Sequence, residues 1–357
     1  MDIKHLLRNE MKDARGYTPG GTPLPPIPDG ITVAKLNANE NQFGPSKKVC
    51  EYMKNNLEDM YLYPLSKVTE ARRAIAEYYG FNEDNISIAA GSSSLICGIA
   101  DLFLNKGDEV LISSPSYVAY YLMPERYGAK LIEVDNKNFA SDIDELLNNI
   151  NDKTKLVCIV NPNNPTGGIV SNEMIKKYMD NVPDDVITVI DEAYFEWIDD
   201  DSYESAMKYV KENKNVIVLK TFSKIYGLAG LRAGFAVSTK EIVEELHKIE
   251  FNYGINRLVA GAIPVALADK EYLEASRANN TTGRNYIYNE MKKMGIEVEM
   301  SYTSFLYFKT KKDPKEVLLD LNQKGVKIRP FGDYLRVSIG RPEQNEQFIK
   351  ALKEILG

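Results

Sequence analysis

Short apolar runs alternate with helical patterns through much of the chain. The runs are rich in β-branched residues and are NISIAAG (85–91), EVLISSP (109–115), AKLIEVD (129–135), KLVCIVNP (155–162), DVITVIDEAY (185–194) and NVIVLKT (215–221). Helical patterns between them include SSLICGIADLFL (93–104), DIDELLNNI (142–150) and SNEMIKKYMD (171–180). Buried strands separated by helices indicate a parallel sheet that helices cover on both faces. We therefore predict an α/β fold with a mostly parallel central sheet.

The pattern of the chain changes at both ends. Residues 16–30, GYTPGGTPLPPIPDG, are too rich in proline and glycine for a helix or strand, so residues 1–30 are predicted to be an N-terminal arm that begins with a short helix over 1–16. Residues 31–260 form the predicted large domain. Half-exposed strands over 295–310 and 333–340, with helices over 315–325 and 342–356, predict a smaller α+β domain over residues 261–357.

The composition limits the possible partners. The 357 residues carry a formal net charge of −7, and an acidic surface disfavours nucleic acid or an anionic membrane as the main partner. No apolar run approaches the roughly 18 residues of a membrane-spanning helix. The charged N-terminus lacks the apolar centre of a signal peptide. These features predict a cytoplasmic protein with no nucleic-acid or membrane partner.

The histidines and cysteines restrict the chemistry. The chain has only two histidines, His5 and His247, and three scattered cysteines without a C-x-x-C pair. A Ser-His-Asp triad, a zinc site and a disulfide framework are therefore disfavoured, and no metal is predicted. The proton chemistry of an enzyme with this composition would use lysine, tyrosine or a carboxylate.

Polar side chains follow five of the predicted strands. They are Ser92 and Ser93 in GSSS, Tyr117 in SPSYVAYY, Asn164 in NPNNPTGG, Asp191 and Tyr194 in DEAY, and Thr221, Ser223, Lys224 and Arg232 in TFSKIYGLAGLRAG. Ligands of open α/β sheets bind beyond the carboxyl ends of the strands, so these residues are candidates for one site. Each also has an ordinary alternative as a helix cap, a core aromatic or a surface charge.

Taken together, these residues fit pyridoxal 5′-phosphate. Its aldehyde reacts with a lysine amine, its ring nitrogen needs an acidic partner, and its phosphate needs hydroxyls, amides and a fixed cation. A nucleotide-binding site explains the sequence less well. GLAGLRAG does not match G-x-G-x-x-G, and no phosphate-binding P-loop is present.

Several rare segments resemble the fold-type I pyridoxal-phosphate aminotransferases. They are NPNNPTG, DEAY and TFSKIYGLAGLRAG. The segments KLNANENQFGPS (35–46), YLYP (61–64), YGINRL (253–258) and LRVSIG (335–340) are similar to those of the histidinol-phosphate aminotransferases. The resemblance runs from about residue 30 to the C-terminus in the order of the family.

The resemblance implies a role for each residue around the cofactor ring. Lys224 matches the lysine that bonds to the cofactor aldehyde and moves the proton at Cα. Asp191 matches the carboxylate that faces the ring nitrogen and raises its pKa. Asn164 and Tyr194 match the pair that hydrogen-bonds the phenolic oxygen, and Tyr117 matches the aromatic residue stacked on the ring.

The resemblance also implies the residues of the phosphate site. They are Ser92, Ser93, Thr221, Ser223 and Arg232. Tyr63 matches a tyrosine that the partner subunit extends toward the cofactor phosphate. The protein is therefore predicted to be a homodimer.

On the substrate side, Arg336 matches an arginine that binds a carboxylate or, in the histidinol-phosphate enzymes, the substrate phosphate. Arg329 matches a second arginine of that subfamily. Tyr17 and Asn39 match positions in the N-terminal segment that covers the substrate. The chain departs from the subfamily at Ser304, Leu65 and Gly254.

The resemblance implies a transaminase with a small-molecule amino donor and a 2-oxo acid acceptor. The implied reaction converts histidinol phosphate and 2-oxoglutarate to imidazole-acetol phosphate and glutamate, in histidine biosynthesis. Three alternatives remain open at this point. They are an aromatic amino acid aminotransferase, a pyridoxal-phosphate decarboxylase or oxidase of the same fold, and a module that binds the cofactor without turnover.

Overall fold

The computed structural model describes residues 3–12, 14–16, 23–249 and 254–357. The strands are β1 (Ala34–Lys35), β2 (Ile86–Ala89), β3 (Glu109–Ser114), β4 (Lys130–Asp135), β5 (Thr154–Val160), β6 (Ile187–Asp191), β7 (Val216–Thr221), β8 (Gly234–Val237), β9 (Glu297–Val298), β10 (Phe305–Lys309), β11 (Val326–Lys327), β12 (Arg329–Phe331) and β13 (Tyr334–Ser338). The helices are α1 (Lys47–Asn55), α2 (Leu65–Tyr79), α3 (Ser92–Phe103), α4 (Ala119–Glu125), α5 (Ile143–Asn148), α6 (Asn172–Asn181), α7 (Met207–Lys211), α8 (Lys240–Ile249), α9 (Arg257–Ala268), α10 (Lys270–Lys293), α11 (Pro314–Gln323) and α12 (Pro342–Leu356).

The central sheet has the strand order β2-β8-β7-β6-β5-β3-β4. Neighbouring strands from β7 to β4 are parallel. The predicted α/β fold with a mostly parallel sheet is therefore confirmed, and each of the six predicted strands is present. The sheet also contains β8, which lies antiparallel between β2 and β7. The sequence analysis missed β8 because it directly follows a glycine-rich turn and is only four residues long.

Alternate residues of the sheet strands pack into two different cores, as the pleat of a strand requires. Leu111 and Val157 lie in a first core that also contains residues of α1, α2, α5, α6 and α9. Val110 and Leu156 lie in a second core with residues of α3, α4 and α8. Helices thus cover both faces of the sheet, and the continuous apolar character of β3 and β5 follows from burial on both sides.

The C-terminal part contains a second sheet, with the order β12-β13-β10-β9. It packs with α10, α11 and α12 around a third core that includes Leu306 and Phe308. The prediction of half-exposed strands here is wrong for β10, in which Phe305 and Tyr307 are buried as well, and for β13, in which residues 335–338 are all buried. The reason is tertiary, because Phe305 packs into the first core while its neighbours face the third.

Two elements connect the predicted domains. Helix α9 spans the predicted boundary at 260/261, and its residues Val259 and Ile263 pack in the first core with α1 and α2. Strand β1 pairs in parallel with β11, so Ala34 and Leu36 lie in the third core. The three-part division into 1–30, 31–260 and 261–357 stays a prediction.

The described part of the N-terminal arm contacts two regions: Arg8 donates to the Arg126 carbonyl after α4, and Leu24 packs against the third core. In place of the predicted helix over 1–16, the described part of the arm has two short 3-10 helices, Lys4–Leu6 and Asn9–Met11. Arg15 forms an ion pair with Glu125 at 2.5 Å. The segment is too short and too exposed for a stable α-helix. Among the residues that the structure describes, no helix has the length and apolar character needed to cross a membrane.

Candidate active site

A cavity of about 350 Å³ lies beyond the carboxyl ends of β5, β6 and β7. Every predicted site residue except Tyr17 and Tyr63 lines it: Asn39, Ser92, Ser93, Tyr117, Asn164, Asp191, Tyr194, Thr221, Ser223, Lys224, Arg232, Arg329 and Arg336. Tyr17 lies outside the described residues. Tyr63 is 72% exposed on the surface, just before α2.

Lys224 is held in the cavity by its neighbours in sequence. Phe222 and Ile225 are fully buried on either side of it, so the turn after β7 has one orientation. The side chain of Lys224 is half-buried, and its Nζ lies 5.4 Å from the ring centroid of Tyr194. The Lys224 amine therefore lies where it can react with an aldehyde bound in the cavity.

Asp191 is a buried carboxylate that accepts two hydrogen bonds. Its Oδ2 accepts a hydrogen bond from Tyr120 Oη at 3.0 Å, and its Oδ1 accepts one from the backbone N–H of Ala193 at 3.1 Å. Within the described parts of the chain, no ion pair involves Asp191. Burial raises the pKa of the Asp191 carboxyl from its ordinary value of 3.8 to about 6, although both hydrogen bonds and the nearby Lys224 oppose the rise. A bound cation at this position would offset the cost of burying the charge.

The opposite end of the cavity is suited to an anion. Helix α3 begins at Ser92 after Gly91, whose φ is +88° and which has no side chain to cap the first amides of the helix. A Cβ on Gly91 would lie 2.4 Å from Arg232 Nη2, so glycine permits the close approach of that guanidinium. Arg232 Nη1 donates to Ser223 Oγ at 3.1 Å. Helix amides, hydroxyls and an arginine together are suited to binding a phosphate group.

Tyrosine and asparagine side chains form the walls between these ends. Ser93 Oγ and Tyr117 Oη lie 3.2 Å apart, which ties the Tyr117 phenol to the start of α3. Asn39 Nδ2 donates to Tyr194 Oη at 2.9 Å. The Tyr194 hydroxyl therefore keeps its own proton for a second partner in the cavity.

The two predicted substrate arginines, Arg329 and Arg336, both contact the aromatic ring of Phe331. The Arg336 guanidinium lies 5.1 Å from the ring centroid of Phe305 and 5.0 Å from that of Phe331. Arg329 lies 5.6 Å from the same Phe331 ring. Arg336 also donates to Asn164 Oδ1 at 2.5 Å, so Nδ2 is the atom of Asn164 that can donate to a ligand. The stacking holds two cationic groups at the same side of the cavity.

The sequence analysis missed Tyr120 and Phe331, which contact the predicted site residues Asp191 and Arg336. Tyr120 follows Tyr117 by three residues, and this repeat of tyrosines was an available signal. Phe331 had no local signal, because the pairing of β12 with β13 brings it to the arginines.

The donor set fits pyridoxal 5′-phosphate. Asp191 suits a protonated ring nitrogen, Lys224 suits the aldehyde, and the start of α3 with Arg232 suits the phosphate. Among the described residues, no group of three or more histidine, cysteine, aspartate or glutamate side chains could hold a metal ion.

Comparison with known proteins supports the same chemistry. Residues 31–352 match the family described as aminotransferase class I and II. The histidinol-phosphate aminotransferase of Caldicellulosiruptor saccharolyticus is 36% identical over 98% of this chain and 100% of its own length. The enzyme of the same name from Moorella thermoacetica is 34% identical over 91% of this chain and 86% of its own.

A solved structure agrees. The crystal structure of histidinol-phosphate aminotransferase from Sinorhizobium meliloti in complex with pyridoxal 5′-phosphate has a TM-score of 0.86 and 27% identity, and covers 91% of each chain. The predicted fold, transaminase class and cofactor are thereby confirmed. The chain belongs to the class I and II aminotransferases and, within them, to the histidinol-phosphate aminotransferase family.

Proposed function

We propose that the protein transfers the amino group of histidinol phosphate to 2-oxoglutarate and forms imidazole-acetol phosphate and glutamate. The observation that carries the proposal is the pair Arg329 and Arg336, which lines the same cavity as Lys224 and Asp191. The cavity thus offers a reactive amine and two guanidinium groups.

The two arginines suit both substrates of this reaction. Histidinol phosphate carries a phosphate dianion, and 2-oxoglutarate carries two carboxylates. Guanidinium groups form paired hydrogen bonds with either kind of anion. A site with two such groups can accept a doubly charged ligand in each half of the reaction, whereas phenylalanine and tyrosine offer only one carboxylate.

We assign the chain's residues as follows. Bound pyridoxal 5′-phosphate supplies an aldehyde that accepts the amino group and a ring that takes up the charge left at Cα. Lys224 Nζ is the amine in the cavity. It takes the proton from the substrate Cα and later returns it to the cofactor carbon that carried the aldehyde. Ionised Asp191 keeps a proton on the ring nitrogen. Tyr194 Oη and Asn164 Nδ2 donate to the phenolic oxygen.

The remaining side chains orient and shield the reactants. Tyr117 covers one face of the cofactor ring. The phosphate is bound by Ser92, Ser93, Thr221, Ser223 and Arg232. Asn39 contacts Tyr194 and Ser338, so it links the cofactor side of the cavity to β13, which carries Arg336. We also propose that Tyr17 covers the substrate.

A substrate panel tests this function. The half-reaction of each amino donor is followed by the loss of the visible absorbance of the lysine-bound cofactor. Histidinol phosphate should react at least about a hundredfold faster than histidinol, phenylalanine or tyrosine, because each hydrogen bond to a charged group contributes about 1.5–3 kcal/mol. Histidinol is the matched control, since it lacks only the phosphate.

Other results of the panel would support the other functions. Faster reaction with phenylalanine or tyrosine would make the protein an aromatic amino acid aminotransferase. Release of carbon dioxide or hydrogen peroxide would indicate a decarboxylase or an oxidase. Equal rates for histidinol phosphate and histidinol would remove the two arginines from phosphate recognition.

We further propose that the enzyme is a homodimer whose Tyr63 reaches the partner's cofactor phosphate. Tyr63 belongs to a surface segment in which large apolar side chains are exposed: Leu57, Met60, Tyr61, Leu62, Tyr63 and Leu65. A continuous exposed apolar patch indicates a protein interface. The cytoplasmic location stays a prediction from the sequence.

Mixed dimers test the role of Tyr63. Tyr63→Phe should weaken cofactor binding about tenfold or more, since it removes a hydrogen bond to a charged group. Mixing Tyr63→Phe subunits with Lys224→Ala subunits should create one intact site per mixed dimer and restore tight binding there. Tyr61→Phe is the control. A monomer in sedimentation, or no restoration on mixing, would contradict the proposal.

A further inference from the structure

Lys220 is a buried charged residue of the sheet that does not line the cavity. It lies in β7 directly before Thr221, and its side chain is 2% exposed. Thr221 lines the cavity, and successive residues of a strand point to opposite faces. The ammonium group of Lys220 therefore lies on the other side of the strand ends from the cofactor site.

Two carboxylates and the rings of Phe195 and Tyr79 surround this ammonium group. Lys220 Nζ lies 3.0 Å from Glu192 Oε2 and 2.7 Å from Glu196 Oε1. The ring centroid of Phe195 lies 4.4 Å away. Burial lowers the pKa of Lys220, but the two glutamates outweigh it, and the pKa stays above its ordinary value. The two carboxylates therefore favour the charged ammonium form of Lys220 over the neutral amine.

The network is closed by further hydrogen bonds. Glu192 accepts from Ser205 Oγ at 2.7 Å and from the backbone N–H of Ala206 at 2.7 Å. Tyr79 Oη of α2 donates to Glu196 at 3.3 Å. Directional bonds of this kind restrict the relative positions of the groups that they join.

The three charged residues of the network lie within two positions of a residue of the cofactor site. Glu192 follows Asp191, and Glu196 is two residues after Tyr194. Lys220 precedes Thr221. The backbone N–H of Glu192 also donates to the Leu219 carbonyl at 2.9 Å, which places the two segments side by side. The ammonium group joins them on the face opposite the cavity.

We propose that Lys220 is a positioning residue that sets the placement of segment 191–194 relative to segment 221–224. The first segment carries the carboxylate for the ring nitrogen, and the second carries the reactive amine and hydroxyls of the phosphate site. This inference rests on the site roles proposed above. If either segment shifted, Asp191 and Lys224 could no longer both contact the same cofactor in the correct geometry.

Lys220→Met tests the inference in the cofactor-loaded enzyme. We expect release of the cofactor to become about ten- to a hundredfold faster, and kcat to fall by a similar factor while KM for the amino donor changes little, because misplacement of a reactive group costs rate. The visible circular dichroism of the bound cofactor should change, since it reports ring orientation. Lys220→Arg should restore much of each property. Lys176→Met, at an exposed ion pair with Asp180, is the matched control.

The outcomes separate positioning from stability alone. A folded Lys220→Met enzyme with wild-type cofactor release, wild-type visible circular dichroism and only a lower Tm would overturn the inference. If that variant does not fold, Glu192→Gln, which removes the carboxylate of segment 191–194 that pairs with Lys220, decides. It should change the same three properties in the same direction, and wild-type values would again overturn the inference. If the proposed cofactor site itself were wrong, the wild-type enzyme would lack the visible absorbance of the lysine-bound cofactor. That result is distinguishable from an effect of Lys220→Met.

Discussion

Lys224→Ala is expected to abolish amino transfer while the protein still binds the cofactor without a covalent bond. The variant loses both the amine that reacts with the aldehyde and the base that moves the Cα proton, so kcat should fall by at least about 10⁴-fold. Arg232, the hydroxyl groups and the start of α3 remain, and we expect them to hold the cofactor phosphate. Steady-state kinetics and equilibrium dialysis of the cofactor measure the two effects.

The matched control is Lys153→Ala, at an exposed lysine just before β5 at the far end of the sheet. It should retain wild-type turnover. Retained turnover in Lys224→Ala would remove this lysine from the mechanism. Loss of all cofactor binding would show that the covalent bond, and not the phosphate site around Arg232, holds the cofactor.

Asp191→Asn is expected to reduce kcat/KM by about a hundred- to a thousandfold. The carboxamide cannot hold a proton on the ring nitrogen by charge, and removal of one preorganised electrostatic partner typically costs this much. Asp185→Asn, at an exposed carboxylate just before β6 on the opposite edge of the sheet, is the control and should be unchanged. A loss in Asp191→Asn of less than about tenfold would contradict the assigned role.

The Asp191→Asn substitution should also raise the free energy of unfolding of the cofactor-free protein above pH 6. Because burial raises the pKa of Asp191 from 3.8 to about 6, the folded protein keeps a proton between these values that the unfolded chain has lost. The stability of the cofactor-free wild type therefore falls as pH rises through this window, by about 3 kcal/mol in total.

Thermal unfolding with and without cofactor checks this second effect. The carboxamide of the Asp191→Asn variant carries no charge, so the cofactor-free variant should have the higher Tm at pH 7–8 and lose the difference below about pH 4. In the cofactor-loaded enzyme, the protonated ring nitrogen should pair with Asp191, so the Tm of the variant should no longer exceed that of the wild type. Equal Tm values for the two cofactor-free proteins at pH 8 would show that burying the charge of Asp191 costs little.

The residues that follow each strand could be predicted from the sequence. Asn164 follows β5, Asp191 ends β6 and Lys224 follows β7, and each is specified by a short local segment. Parallel strands end at the same edge of the sheet, so the order of strands and polar residues is enough to bring these side chains together. The helix start at Ser92 follows the same rule.

Contacts between distant segments could not be predicted. Arg336 bonds to Asn164 across 172 residues of chain, and Phe331 reaches both arginines through strand pairing. The insertion of β8 between β2 and β7 and the packing of α9 in the first core are further examples.

The sequence by itself determined the chemistry of this protein, because amine, carboxylate and phosphate-binding groups are specified by residue type within short segments. Only the tertiary structure decided the surroundings of those groups. Tyr120 beneath Asp191, the shared ring of Phe331 and the buried charge of Lys220 depend on which faces of separate elements meet. The periodicity of one segment shows which side is apolar, but the partner of that side is chosen by packing of the whole chain.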